Sequence, residues 1–151
     1  MKVLLNPTQS ELGITTTRYE VVRNEKGILA VTFRYRPEDM KIYSDGFQTQ
    51  FETINPGFSR GGHYHYPETA RESFYLLKGG FDLVVCDLEK TICEVYNILE
   101  GVTYHCPGMI PHKAITTGNE LAEMVVAKPF NFDIINRTTM FDMEWTKDLK
   151  I

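Results

Sequence analysis

The chain has four histidines, and they fall into two groups: His63 with His65 in GGHYHYPE, and His105 with His112 in YHCPGMIPH. An imidazole with a pKa near 6.5 accepts and returns a proton at neutral pH and also ligates transition metals, so this clustering is the main chemical signal in the sequence. On a strand, residues i and i+2 share a face about 6.6 Å apart along the backbone, which lets His63 and His65 aim both rings at one point. An isolated pair at this spacing also suits a solvent-facing strand. If the face is interior, two imidazoles are too polar to serve as filler, and a metal, a substrate or an acid must meet them.

The elements that position these residues are short and β-rich. The chain has 151 residues, 42% of them apolar and 24% charged, and a formal charge of −4, as expected of one ordinary domain spanning residues 1–151. The acidic balance argues against a protein that grips bare nucleic-acid backbone. No run approaches the roughly 18 apolar residues of a membrane span, and MKVLLNPTQSEL breaks at Asn6 and Pro7 before a signal-peptide core forms, so a cytoplasmic location is expected. Cys86, Cys93 and Cys106 lack a CxxC spacing and are expected to be buried thiols.

Eleven glycines and seven prolines leave little room for a long helix. Strands are expected over Tyr19 to Arg23 and Ile28 to Tyr35, joined at Asn24-Glu25-Lys26-Gly27, and over Phe47 to Ile54, with Pro37 to Asp45 as a loop. Further strands are expected over Ser73 to Leu77, Phe81 to Leu88, Thr91 to Leu99, Ala114 to Thr117 and Leu121 to Ala127, with a hairpin join at Asp87 to Lys90. Short strands with turn signals at this spacing predict an all-β sandwich or barrel. From Asn131 onward the pattern is ambiguous, and Trp145 is expected to cover an apolar surface.

The pattern G-x5-H-x-H-x6-E-x6-G followed by G-x5-P-x4-H is carried by Gly57, His63, His65, Glu72 and Gly79, then by Gly101, Pro107 and His112. It resembles the two signature motifs of the cupin superfamily. Within that superfamily the chain is most similar to RmlC-like proteins of nucleotide-sugar and capsular-polysaccharide biosynthesis. Three stretches carry the likeness: the hairpin Asn24 to Leu29, the strand Arg60-Gly61-Gly62-His63-Tyr64-His65, and the strand exit Met124 to Asn131. The chain departs from the pattern in the longer loop Tyr66 to Arg71, in Gly108-Met109 where the glycine usually stands second, and in Thr116 where asparagine often follows the last histidine.

The resemblance implies a single-domain cupin, a double-stranded β-helix or jelly-roll barrel, acting as an epimerase or ketoisomerase on a keto-deoxy-sugar nucleotide. His63 is then the base that removes a proton next to the carbonyl, and His65 the second proton carrier. The proton-donating tyrosine of the 3,5-epimerases has no counterpart in Leu121 to Ala127. Arg60, His105 and Tyr75 are the candidate substrate contacts, with Arg60 suited to a diphosphate because guanidinium binds phosphate oxygens through parallel hydrogen bonds. Lys113 and Arg71 are further cations that would favour an anionic substrate. Tyr64 and Tyr66 flank His65 and are expected to point away from its face.

His63, His65, Glu72 and His112 form a ligand set suited to zinc, iron, nickel or manganese, with Glu68 as a rival acid. A metal-dependent oxygenase or sugar-phosphate isomerase, and a non-catalytic sugar-binding cupin, are the alternative functions. A homodimer is expected, since pairing of subunits covers the edges of small open barrels.

Overall fold

The computed structural model describes residues 1–30, 32–33, 47–129 and 138–149. Its strands are β1 (Lys2–Leu5), β2 (Thr15–Arg18), β3 (Val21–Asn24), β4 (Gly27–Ala30), β5 (Phe47–Ile54), β6 (Ser59–His65) and β7 (Glu72–Lys78). They continue as β8 (Phe81–Cys86), β9 (Ile92–Asn97), β10 (Val102–Cys106), β11 (His112–Thr116), β12 (Ala122–Pro129) and β13 (Thr138–Met140), followed by a 3-10 turn, Glu144–Asp148. Among the described residues no helix is long and apolar enough to cross a membrane.

Two sheets face each other, one in the order β1-β9-β8-β11-β6-β13 and the other in the order β2-β10-β7-β12-β5, with β3 and β4 as a separate hairpin. Alternation along the strands explains the layering. Phe74, Leu76, Leu83, Val85, Tyr104, Met124 and Val126 meet between the sheets. Burying each such side chain contributes about 1.5–3 kcal/mol. The intervening residues Val84, Cys86, Cys93 and Val95 face the other way, where Met143, Phe141 and Trp145 cover them. β8 is therefore buried on both faces, which accounts for its nearly unbroken apolar sequence FDLVVC. All three cysteines are buried thiols.

The expected strands are present with shifted ends. The first β-rich run begins at Val21 instead of Tyr19, and the second ends at Ala30 within the described residues, with Thr32 and Phe33 outside any strand. The expected loop over Pro37 to Asp45 lies outside the described residues. Neither β1, which pairs parallel to β9, nor the threonine-rich β2, which pairs with β10, was anticipated. Both are edge strands in which most residues are exposed, so their sequence lacks alternation. The N-terminal segment between them is fixed by the fully buried Glu94. Its carboxylate accepts hydrogen bonds from Ser10 Oγ, the Glu11 and Leu12 amides and Tyr96 Oη.

One irregularity bears directly on the histidines. His112 pairs with His63, but the next residue, Lys113, pairs with Gly61, so two steps on β6 oppose one step on β11. This is a β-bulge at Gly62, and Gly61 and Gly62 take φ values of 92° and 82°, in the region that disfavours side chains. The bulge reverses strand parity. Arg60 opposite Ala114 and His63 opposite His112 both face the interior, although three residues separate them. A Cβ on Gly61 would lie 2.7 Å from the His112 carbonyl oxygen. Replacing Gly61 with alanine is expected to lower unfolding free energy by about 1–3 kcal/mol, measured by denaturant titration. Gly57→Ala, where a Cβ meets nothing within 4 Å, isolates the backbone-strain part of that loss.

Candidate active site

β6 and β11, neighbours in the first sheet, place His63, His65 and His112 on one interior wall. Ring centroids are 4.6 Å apart for His63 and His65, 4.8 Å for His63 and His112, and 5.2 Å for His65 and His112. Glu72 begins β7 on the opposite sheet, and its Oε2 lies 2.8 Å from Nε2 of both His65 and His112. One donor atom from each of the four residues falls within 4.8 Å of the others. Phe74 packs edge-on against the His112 ring, and Gln50, Glu52, Met124, Lys128 and Thr138 complete much of the pocket wall.

The loop before β11 fixes His112. Met109 takes a φ of 65° and donates its amide to the His65 carbonyl at 2.7 Å, tying the two histidine segments together. Gly108 donates to the Glu68 carbonyl, and a Cβ there would come within 1.9 Å of the Pro67 oxygen. The extended loop after β6 therefore presses on residue 108, which explains why glycine stands there and methionine takes the left-handed position. Glu68 contributes that carbonyl while remaining exposed, so Glu72 is the acid of the cluster. Thr116 occupies the usual asparagine position and bonds the turn before β6, accepting from the Gly57 amide at 3.1 Å.

Burial would raise the Glu72 carboxyl, but the close approach of the His112 and His65 imidazoles outweighs it and holds the group well below the usual carboxylate range. For His112, burial opposes charge, while the neighbouring Cys106 sulfur and the Glu72 carboxylate favour it, and the ring ends well above 6.5. Desolvation, joined by the charges of His112 and His65, lowers His63 to about 4, and desolvation also lowers His65. His63 and His65 are therefore neutral at pH 7.

His112 carries a mark of a metal ligand. Its Nδ1–H donates to the Ile110 carbonyl at 3.0 Å, an arrangement that orients Nε2 inward. Nε2 lies 2.8 Å from Glu72, yet its N–H direction misses that oxygen, and it has no aligned hydrogen-bond partner. A divalent cation among the four donors would satisfy this nitrogen, so the residues present fit a metal.

Other expected contacts lie elsewhere. Arg60 lines the pocket near its mouth, its Nε donating to the Thr53 carbonyl at 2.8 Å. Tyr75 and His105 stand on the outer face of the second sheet, because their neighbours Phe74, Leu76, Tyr104 and Cys106 point inward. Tyr75 lines a separate cavity with Val21, Ile28 and Ala30. Both nitrogens of His105 are engaged there, Nδ1 with Ser73 Oγ at 2.8 Å and Nε2 with Thr17 Oγ1 at 3.0 Å. Neither residue joins the histidine cluster. Lys113 points away from the pocket toward Met143 and Glu144, and Arg71 is not among the pocket-lining residues. Tyr64 packs against Phe141 on the outside, and Tyr66 is exposed.

Among the residues without an earlier sign, Lys128 is buried in the pocket on the same inward alternation as Met124 and Val126. Gln50 and Glu52 share the inward alternation of Ile54, a signal that the loosely patterned β5 sequence obscures.

No family model matches the chain. The curated UDP-2-acetamido-2,6-beta-L-arabino-hexul-4-ose reductase of Pseudomonas aeruginosa is 33% identical over 114 residues, which is 74% of this chain and 25% of that protein. The chain thus spans a quarter of the length of that relative. Among solved structures, the 3'-monoepimerase ChmJ from Streptomyces bikiniensis, in complex with dTDP-quinovose, aligns with a TM-score of 0.69 and 16% identity over 92% of this chain and 74% of its own. The sugar 3,4-ketoisomerase QdtA from Thermoanaerobacterium thermosaccharolyticum, in complex with TDP, aligns with a TM-score of 0.62 and 9% identity over 92% and 95%. Together with the two facing, largely antiparallel sheets, these likenesses give the chain the jelly-roll fold expected of an RmlC-like cupin.

Proposed function

We propose that residues 1–151 act as one catalytic domain that epimerises or isomerises a keto-deoxy-sugar nucleotide, as a cytoplasmic homodimer. The carrying observation is the state of His63. It is half-buried at the pocket, neutral at pH 7, and makes no hydrogen bond among the described residues, so its ring is available to a substrate C–H. Removal of a proton next to the sugar carbonyl leaves an enolate; protonation of that carbon from solvent on the opposite face gives the epimer, and protonation of the former carbonyl carbon, with the neighbouring hydroxyl proton passing to the other oxygen first, gives the isomeric ketone. Such transfer contributes about 10²- to 10⁴-fold. Lys128 supplies a buried positive charge toward the enolate oxygen, and Arg60 at the mouth suits the diphosphate. The dTDP-quinovose bound to ChmJ and the TDP bound to QdtA support this substrate class.

The unaligned His112 nitrogen favours a second element, a divalent metal held by His63, His65, Glu72 and His112. When bound, such an ion supplies Lewis-acid polarisation of an oxygen. A ligand role for His63 would compete with its role as base, and metal content therefore decides between the two.

Wild-type protein incubated in heavy water with thymidine- and uridine-diphosphate 4-keto-6-deoxyglucose is expected to incorporate deuterium next to the carbonyl, read by NMR. His63→Ala should slow exchange by about 10²- to 10⁴-fold with an unchanged unfolding midpoint. Undiminished exchange in that variant removes His63 from the mechanism, and absence of exchange in the wild type removes the proposed reaction.

Zinc binding gives a separate check. Because His112 is charged near neutral pH while His63 and His65 are not, each zinc should displace about one proton, and affinity should rise with pH until His112 is neutral. Calorimetry at pH 7 in buffers of different ionisation enthalpy counts that proton. A pH-independent affinity would contradict the charged state of His112.

A further inference from the structure

Thr138 is a further pocket residue that no motif marks. It begins β13, pairs with His65 across the edge of the first sheet, and so points its side chain to the same side as that ring. Its Oγ1 lies 3.1 Å from Nδ1 of His65, while Nε2 of the same ring lies 2.8 Å from Glu72 Oε2. A carboxylate only accepts, so the His65 proton sits on Nε2 and points at Glu72. Nδ1 then carries a lone pair, and the Thr138 hydroxyl donates to it. The ring is held at both nitrogens and is buried, whereas among the described residues no hydrogen bond holds the neighbouring His63.

We propose that Thr138 is a positioning residue: its hydroxyl fixes the His65 ring against Glu72 and thereby leaves His63 as the imidazole that meets the substrate. The two histidines divide the work. His65 supports the carboxylate and is withdrawn from proton exchange with substrate, in contrast to the second-carrier role that the family resemblance implies for it. A hydroxyl suits this place because it can reverse direction. If a cation takes Nε2, the His65 proton moves to Nδ1 and Thr138 Oγ1 accepts it, so the same contact supports the ring in either tautomer.

The test compares Thr138→Val, which keeps shape and loses the hydroxyl, with Thr138→Ser, which keeps the hydroxyl. Nitrogen-15 NMR of metal-free protein should show the His65 Nδ1 resonance displaced in the valine variant and restored in the serine variant, with the His63 resonances in place. Zinc affinity should fall about 10- to 100-fold in Thr138→Val and recover in Thr138→Ser. Where the wild type exchanges deuterium with a 4-keto-sugar nucleotide, kcat for exchange should fall by a similar factor with KM unchanged. An unmoved Nδ1 resonance with unchanged zinc affinity overturns the proposal, and so does a serine variant that behaves like valine. Only the exchange measurement rests on the sugar-nucleotide function. NMR and zinc responses as expected, without exchange in any variant, would sink that function and leave the Thr138 assignment standing.

Discussion

The pocket depends on one carboxylate. Glu72 comes from the second sheet and its Oε2 faces imidazoles from two strands of the first, so this single contact joins the two halves of the fold where the chemistry would occur. A buried charge of this kind is tolerable only while its partners remain, and removing one partner from such a pair typically costs about 3–5 kcal/mol. Glu94 shows the alternative arrangement. It is as deeply buried, but backbone amides and hydroxyls satisfy it and no histidine approaches, so it has a purely architectural role. The two glutamates differ in what surrounds them, and that difference separates a site from a brace.

The electrostatics of the cluster follow from the same contact. The negative charge on Glu72 is shared unequally: His112 holds its proton, while His63 and His65 give theirs up to burial and mutual repulsion. Three chemically identical rings within about 5 Å thus divide into one charged and two neutral. The surroundings of each ring also differ: the Ile110 carbonyl at His112, the Thr138 hydroxyl at His65, and the pocket opening at His63.

Much of this was legible in the sequence because strand parity and turn chemistry are local rules. The HxH pair shares a face as strand spacing implied, Glu72 and His112 converge on it as the resemblance to the cupin motifs implied, and the hairpins at Glu25-Lys26 and Asp87 to Lys90 lie where turn residues mark them. Tyr75 and His105 show where proximity in sequence misleads. Each sits one residue from an inward-facing neighbour and is turned outward by the alternation that carries the neighbour in. Lys128 and Gln50 were hidden for a different reason, since their strands announce themselves by packing and not by any chemical motif. Thr138 follows a stretch with no periodicity, and only long-range register could pair it with His65.

The glycine bulge in β6 has a consequence for how such a pocket can change over evolutionary time. It splits one strand into two segments of opposite phase, one presenting Arg60 at the rim and the other presenting the imidazoles at the base. A substitution on the outer segment leaves the alignment of the inner one untouched. The cationic rim and the imidazole cluster can therefore drift as separate modules, and a single scaffold can change what its mouth admits while keeping the cluster at its base.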